Sequence, residues 1–110
     1  MIENGLIPPP RGGGARRRGY VYVLRSQQDG SLYLGWTTDV TRRLVEHNQG
    51  RSIFTRRKRP WRLVGFKAYP SAAEAKAHER VLKRSPRMWT YFKKRVLNRA
   101  AIGGPREVVG

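Results

Sequence analysis

Residues 20–47 read Tyr-Val-Tyr-Val-Leu-Arg-Ser-Gln-Gln-Asp-Gly-Ser-Leu-Tyr-Leu-Gly-Trp-Thr-Thr-Asp-Val-Thr-Arg-Arg-Leu-Val-Glu-His. Two short runs rich in β-formers, 20–25 and 31–36, flank Asp29-Gly30, a turn signal, and predict a hairpin. Period-two alternation puts Tyr20, Tyr22 and Leu24 on one face of the first strand and Val21 and Val23 on the other. In the second strand Leu32, Leu34 and Trp36 share a face opposite Tyr33 and Gly35. An even loop pairs even positions with odd ones and brings Tyr22 and Tyr33 onto one face, with Gly35 beside Tyr22; an odd loop separates the tyrosines. The sorting of apolar residues favours the even register. Two tyrosines so placed are either ordinary cross-strand packing or a pair of polar groups with a chemical task.

A helix follows at once. Thr37-Thr38-Asp39 offers N-cap candidates and Gly50 a stop. Val40 and Leu44 face the core, while Arg43 and His47, also four apart, share a neighbouring stripe from which both can address one phosphate. Arg42 belongs to the solvated basic face.

The composition sets the partner class. The chain has 110 residues, enough for one domain with a modest core, and carries 24 Lys and Arg against 7 Asp and Glu, a net charge of +17. Such a surface attracts polyanions, nucleic acid first, with a ribosome-associated basic protein as the bland alternative. Cysteine is absent, which rules out a disulfide framework and thiolate metal sites and suits the cytoplasm. No apolar run approaches a membrane span, and no secretory segment is expected.

Outward from the hairpin, residues 1–18, rich in Pro, Gly and Arg, are expected to form a disordered basic tail. Residues 51–59 form a cationic loop whose Arg51, Arg56, Arg57, Lys58 and Arg59, with Arg42, are expected to position nucleic-acid phosphates. Phe54 in that loop either stacks on an unpaired base or anchors the loop, the anchor being preferred. Residues 61–69 read as a third strand, long and apolar enough to be central. Ser71-Ala-Ala-Glu74 is a capping box that starts a helix to about Arg84, and Ser85-Pro86 starts a third, to about Arg99. The tail 100–110 is expected to fray. The fold class is therefore α+β: a small three-stranded antiparallel sheet with about three helices, in one domain over residues 19–99.

Six of the seven carboxylates have local roles or lie in the tails; Glu79, in the stripe Ala72, Ala75, Glu79, Leu82, has none. It either pairs with one of the many arginines or holds a divalent cation that bridges protein and phosphate. Phosphodiester hydrolysis needs an activated water, charge neutralisation on the non-bridging oxygens and help for the leaving oxygen; Arg43 offers a planar donor fork for the phosphate and a cation on Glu79 would serve the leaving oxygen. A tyrosine can be the base for that water only if its pKa falls. Tyr22 is favoured, because the neighbouring glycine leaves room for water; Tyr33 is the alternative.

The segment Tyr20-Val-Tyr22, then Tyr33-Leu-Gly35 eleven residues on, Arg43, His47 and a later Glu79 resemble the GIY-YIG nuclease superfamily, most of all its small stand-alone bacterial members. The run Gly35–Val40, His47-Asn48 and Arg59–Val64 match that subgroup as well. The resemblance covers about residues 19–99. It implies a three-stranded antiparallel sheet flanked by helices, and cleavage of DNA with one Mg2+ or Mn2+ and no small-molecule cofactor. It also implies that Tyr22 and Tyr33 are the motif tyrosines, Arg43 contacts the scissile phosphate, His47 orients groups or shuttles a proton, and Glu79 holds the metal. Tyr20 stands where the family name has glycine, and Leu34 where it has isoleucine. A late polar residue of some members has only Asn98 as a weak counterpart. The expected function is a metal-dependent DNA endonuclease acting on single-stranded, branched or damaged DNA, as in repair. The alternative is a non-catalytic nucleic-acid-binding module on the same scaffold.

Overall fold

A computed structural model describes residues 6–10 and 18–97. Residues 1–5, 11–17 and 98–110, which include most of both expected tails and Asn98, lie outside the described residues. The third helix ends at Val96, with Leu97 extended as its C-cap, short of the end expected near Arg99. The elements run β1 (Gly19–Ser26), β2 (Leu32–Thr37), α1 (Val40–Asn48), a 3-10 turn (Arg56–Lys58), β3 (Trp61–Tyr69), α2 (Ala72–Arg84) and α3 (Pro86–Val96). The three strands form one antiparallel sheet in the order β2-β1-β3, the α+β arrangement expected. One expectation is corrected: β1, not the longer β3, is central.

The β1–β2 register is the even one. Ser26 N–H donates to Ser31 O, which closes a four-residue loop at positions 27–30. Gly30 takes the left-handed conformation there (φ 78°), and Asp29 accepts from the Ser31 backbone and hydroxyl. Tyr22 consequently stands opposite Gly35 and Leu24 opposite Tyr33. Between Val23 and Leu24 the β1–β3 pairing slips by one residue. This bulge changes the parity of β3, so Trp61 and Leu63 share a face with Phe66.

The sheet separates two apolar clusters. On one face Val21, Val23, Leu34 and Val64 pack with Ala75 and Leu82 of α2 and Phe92 of α3. On the other, Tyr20, Tyr22, Leu24, Trp61 and Leu63 pack with Val40 of α1, and Leu6, Tyr33, Leu44 and Phe66 lean on them. Leu6 N–H also donates to Leu63 O at 2.8 Å, a contact no sequence pattern announces.

Helix boundaries follow their caps. Asp39 accepts from Arg42 N–H, Ser71 from Glu74 N–H and Ser85 from Met88 N–H, and Pro86 opens α3. Asn48 straps α1 to β3 by donating to Trp61 O and accepting from Trp61 N–H.

Candidate active site

β1 carries Tyr22, and α1, laid across the same face, carries Arg43 and His47. His47 is fully buried, not part of a solvated face, and Tyr22 is 2% exposed. The Tyr22 hydroxyl lies 2.8 Å from His47 Nε2, and His47 Nδ1 lies 2.7 Å from Thr55 Oγ1, both bonds buried. Thr55 belongs to the basic loop and is itself 1% exposed. Trp61 Nε1 donates to its carbonyl at 2.8 Å. Burial and the neighbouring Arg43 charge push the His47 pKa down to about 4, partly offset by Glu46. The imidazole is therefore neutral near pH 7 and carries one N–H. Proton donation along Tyr22, His47 and Thr55 then runs in one direction or the other, each ring nitrogen being satisfied.

Burial, and then Tyr33, raise the Tyr22 pKa; Arg43 acts the other way, and Glu79 adds to the rise. Desolvation outweighs the arginine, so a standing Tyr22 phenolate is disfavoured. The space over Gly35 is also filled. A Cβ there would lie 2.6 Å from the Tyr22 hydroxyl oxygen and 3.1 Å from Tyr33 Cε2. The glycine makes room for the phenol, not for a water, which corrects the reason given for Tyr22 as base.

The Tyr33 ring is 5.1 Å from the His47 ring and 6.2 Å from that of Trp61. Tyr33 is half-buried, and among the described residues its hydroxyl has no hydrogen-bond partner. Arg43 donates to Glu46 Oε1 at 3.0 Å and is one-third exposed, and its guanidinium also lies within reach of the Tyr22 hydroxyl. Partial burial would lower its pKa, but Glu46 and Tyr22 raise it further, and the group stays charged.

Glu79 arrives from α2, which packs on the opposite face. Its charge reaches Tyr22, and Lys83 Nζ stands 5.9 Å above the Tyr33 ring. Groups from the two faces meet at the rim of the edge strand β2. Glu79 is not free, as one of the two sequence readings foresaw, though its partner is a lysine. Its Oε2 is 2.6 Å from Lys83 Nζ, and its side chain is 12% exposed. Among the described residues no group of three or more His, Cys, Asp or Glu could hold a metal. The donor set fits only a hard ion that takes its other ligands from phosphate and water, as Mg2+ does.

The structure thus brings Tyr22, Tyr33, Gly35, Arg43, His47 and Glu79 together. Arg42 is paired with Glu46 at 3.6 Å. Arg51, Arg56, Arg57, Lys58 and Arg59 are exposed along the adjoining loop. Lys58 pairs with Asp29 at 3.2 Å, and Arg59 folds back onto Arg56 O. Sequence reasoning missed Thr55, Trp61 and Lys83. Lys83 was within reach, being one helical turn from Glu79. Nothing local marks Thr55 as the partner of a histidine eight residues earlier.

Comparisons with known proteins give the family. The profile of the family described as the GIY-YIG catalytic domain matches residues 18–92. The chain is 42% identical over 71 residues to a UPF0213 protein of Streptococcus pneumoniae, covering 64% of this chain and 71% of that one. It is 36% identical over 92 residues to a UPF0213 protein of Nitratidesulfovibrio vulgaris, covering 83% and 78%. The solution NMR structure of a UPF0213 protein from Bacillus halodurans, 36% identical, matches with a TM-score of 0.45 over 84% of this chain and 93% of that one.

Proposed function

The chain belongs to the GIY-YIG family, whose domain is of nuclease type, and from that premise we propose that it is a divalent-metal-dependent DNA endonuclease with a single active site. The observation that carries the reading is the buried Tyr22–His47 hydrogen bond, with Arg43 one helical turn from His47 and the Glu79–Lys83 pair standing at the Tyr33 ring. Arg43 holds the scissile phosphate with donors that Glu46 does not take. Tyr22 works as a relay and needs no standing phenolate. Its oxygen takes a proton from the attacking water while its own proton passes to His47 Nε2, and His47 Nδ1–H stays on Thr55. Neutral His47 is the proton sink, and the nearby phosphate charge offsets the burial that disfavours imidazolium. Tyr33 positions the water or the phosphate from the open side of the pair.

Glu79 is the residue that would hold Mg2+ or Mn2+, and the ion supplies charge neutralisation at the leaving oxygen. Lys83 must give way for this. The catalytic unit is residues 19–99, with 1–18 and 100–110 as flanking segments and the cytoplasm as its site of action. Among the described residues no helix is long and apolar enough to cross a membrane.

The Glu79–Lys83 pair also supports a second reading, a DNA-binding module that does not cut. Cleavage of single-stranded, duplex, flapped and four-way DNA with Mg2+ or Mn2+, beside Glu79→Ala, separates the two. The enzyme cuts at least one form, and Glu79→Ala binds but does not cut. No cutting of any form by the wild type, or equal cutting by Glu79→Ala, sinks the enzyme reading.

A further inference from the structure

The loop that supplies Thr55 does something else with its neighbours. Ser52 and Thr55 are buried, at 7% and 1% exposure, yet Ile53 and Phe54 between them are 67% and 79% exposed. Phe54 is therefore not the loop anchor that the sequence favoured. The anchor is polar: Thr55 N–H and Arg56 N–H donate to Ser52 O, Phe54 N–H donates to Ser52 Oγ, and Thr55 is pinned by His47 and Trp61. A loop held this firmly at Ser52 and Thr55 presents the two apolar side chains between them to solvent on a fixed base.

The setting identifies what would cover them. Arg51, Arg56, Arg57, Lys58 and Arg59 all lie within five residues of Phe54 and are exposed. The same loop lines an open cleft of about 590 Å³ with Gln28, Asn48, Arg56, Arg57, Arg59 and Pro60, with no carboxylate in the lining. An exposed aromatic ring on a cationic loop, two residues before the first loop arginine that lines this cleft, matches a ligand that is anionic along its length and has flat apolar faces. That is a nucleic-acid strand whose bases are not stacked in a duplex. Phe54 also adjoins Thr55, only about 3.8 Å away from Cα to Cα, and Thr55 holds His47.

We propose that Phe54, flanked by Ile53, is a stacking platform for an unpaired base close to the scissile phosphate, so that the substrate class is DNA with a base out of the duplex. The inference rests on the nuclease reading for the position of the cut. Stacking there also couples substrate form to chemistry, because a base seated on Phe54 bears on the segment that fixes His47.

The test uses the full-length chain, without metal, and fluorescence anisotropy on a single-stranded oligonucleotide and on its fully paired duplex. Phe54→Ala is expected to weaken single-strand binding by ~5–150-fold and duplex binding by less than ~2-fold, with Phe54→Trp restoring the difference. A 2-aminopurine beside the cut position should change its emission on binding wild type but not Phe54→Ala. The ring is exposed, so unchanged thermal melting is expected to exclude misfolding. Equal loss on both DNA forms, or no loss, in a preparation whose wild type cuts DNA, overturns the stacking role and leaves the nuclease standing. The selective loss in a protein that cuts nothing upholds the stacking role and sinks the nuclease. A wild-type dimer that Phe54→Ala dissolves, with single-strand affinity unchanged, assigns the patch to a second copy and overturns the proposal.

Discussion

Tyr22→Phe isolates the buried relay. The substitution keeps the ring that packs against Gly35 and removes only the hydroxyl 2.8 Å from His47 Nε2. His47 has no exposed surface, so water cannot replace the lost partner. A buried polar atom left unpaired costs about 1–3 kcal/mol. For a domain of this size each kcal/mol lowers the melting temperature by roughly 4–8 °C. Tyr33→Phe is the control: its half-exposed hydroxyl has no partner among the described residues, and stability should change by less than about 0.5 kcal/mol. Losing a positioned proton acceptor costs about 10²–10⁴ in rate. Tyr22→Phe should therefore be both less stable in urea and slower by that factor in single-turnover cleavage, with DNA affinity retained. Cleavage within a factor of ~10 of wild type, against that expected ~10²–10⁴, would refute the relay even if stability fell as calculated. Unchanged stability would refute the buried hydrogen bond itself.

Other expectations follow from the same geometry. Gly35→Ala places a methyl 2.6 Å from the Tyr22 hydroxyl, and overpacking of a buried ring should cost about 1–3 kcal/mol; a denaturant midpoint equal to wild type would contradict the close approach. The folded His47 pKa of about 4 lies below the unfolded value of about 6.5, so the unfolded chain binds the proton first as pH falls. This contribution is fully present above about pH 6.5 and is lost toward pH 4, by up to roughly 3 kcal/mol. Burial also lowers the His78 pKa, which acts in the same sense. Urea melts at about pH 7.5 and about pH 5 should differ, and the difference should shrink in His47→Gln. Lys83→Met frees the Glu79 carboxylate from an ammonium 2.6 Å away; because Lys83 is half-exposed, the metal concentration for half-maximal cleavage should fall by only ~2–5-fold. An unchanged or higher metal requirement would show that Lys83 is no competitor of the ion.

Local periodicity made half of the site legible in the sequence. Alternation along 20–25 and 31–36, with the turn at Asp29-Gly30, dictates that Tyr22 faces Gly35 and that Tyr33 shares their side, because a one-residue slip would move Leu32, Leu34 and Trp36 to the opposite face of the sheet. The 3.6-residue repeat places Arg43 above His47 in the same way, and side chains at caps set where the helices begin. These are short-range rules, and they extended to the strand and helix count and to the partner class that a charge of +17 implies.

Packing between elements decided the rest. Strand order depends on which edges pair, so the longer β3 became an edge strand and β1 the centre. A bulge at Val23/Leu24 reset the parity of β3 and brought Trp61 under Tyr33, which no alternation predicts. The room beside Gly35 was inferred correctly but its occupant was not, since only the docked α1 shows the Tyr22 phenol held there by His47. Thr55 and Phe54 are adjacent in a loop without periodicity. One is buried against the site histidine and the other stands in solvent. That division is set by what α1 and β3 offer the loop on its inner side, three-dimensional information that a linear pattern does not contain.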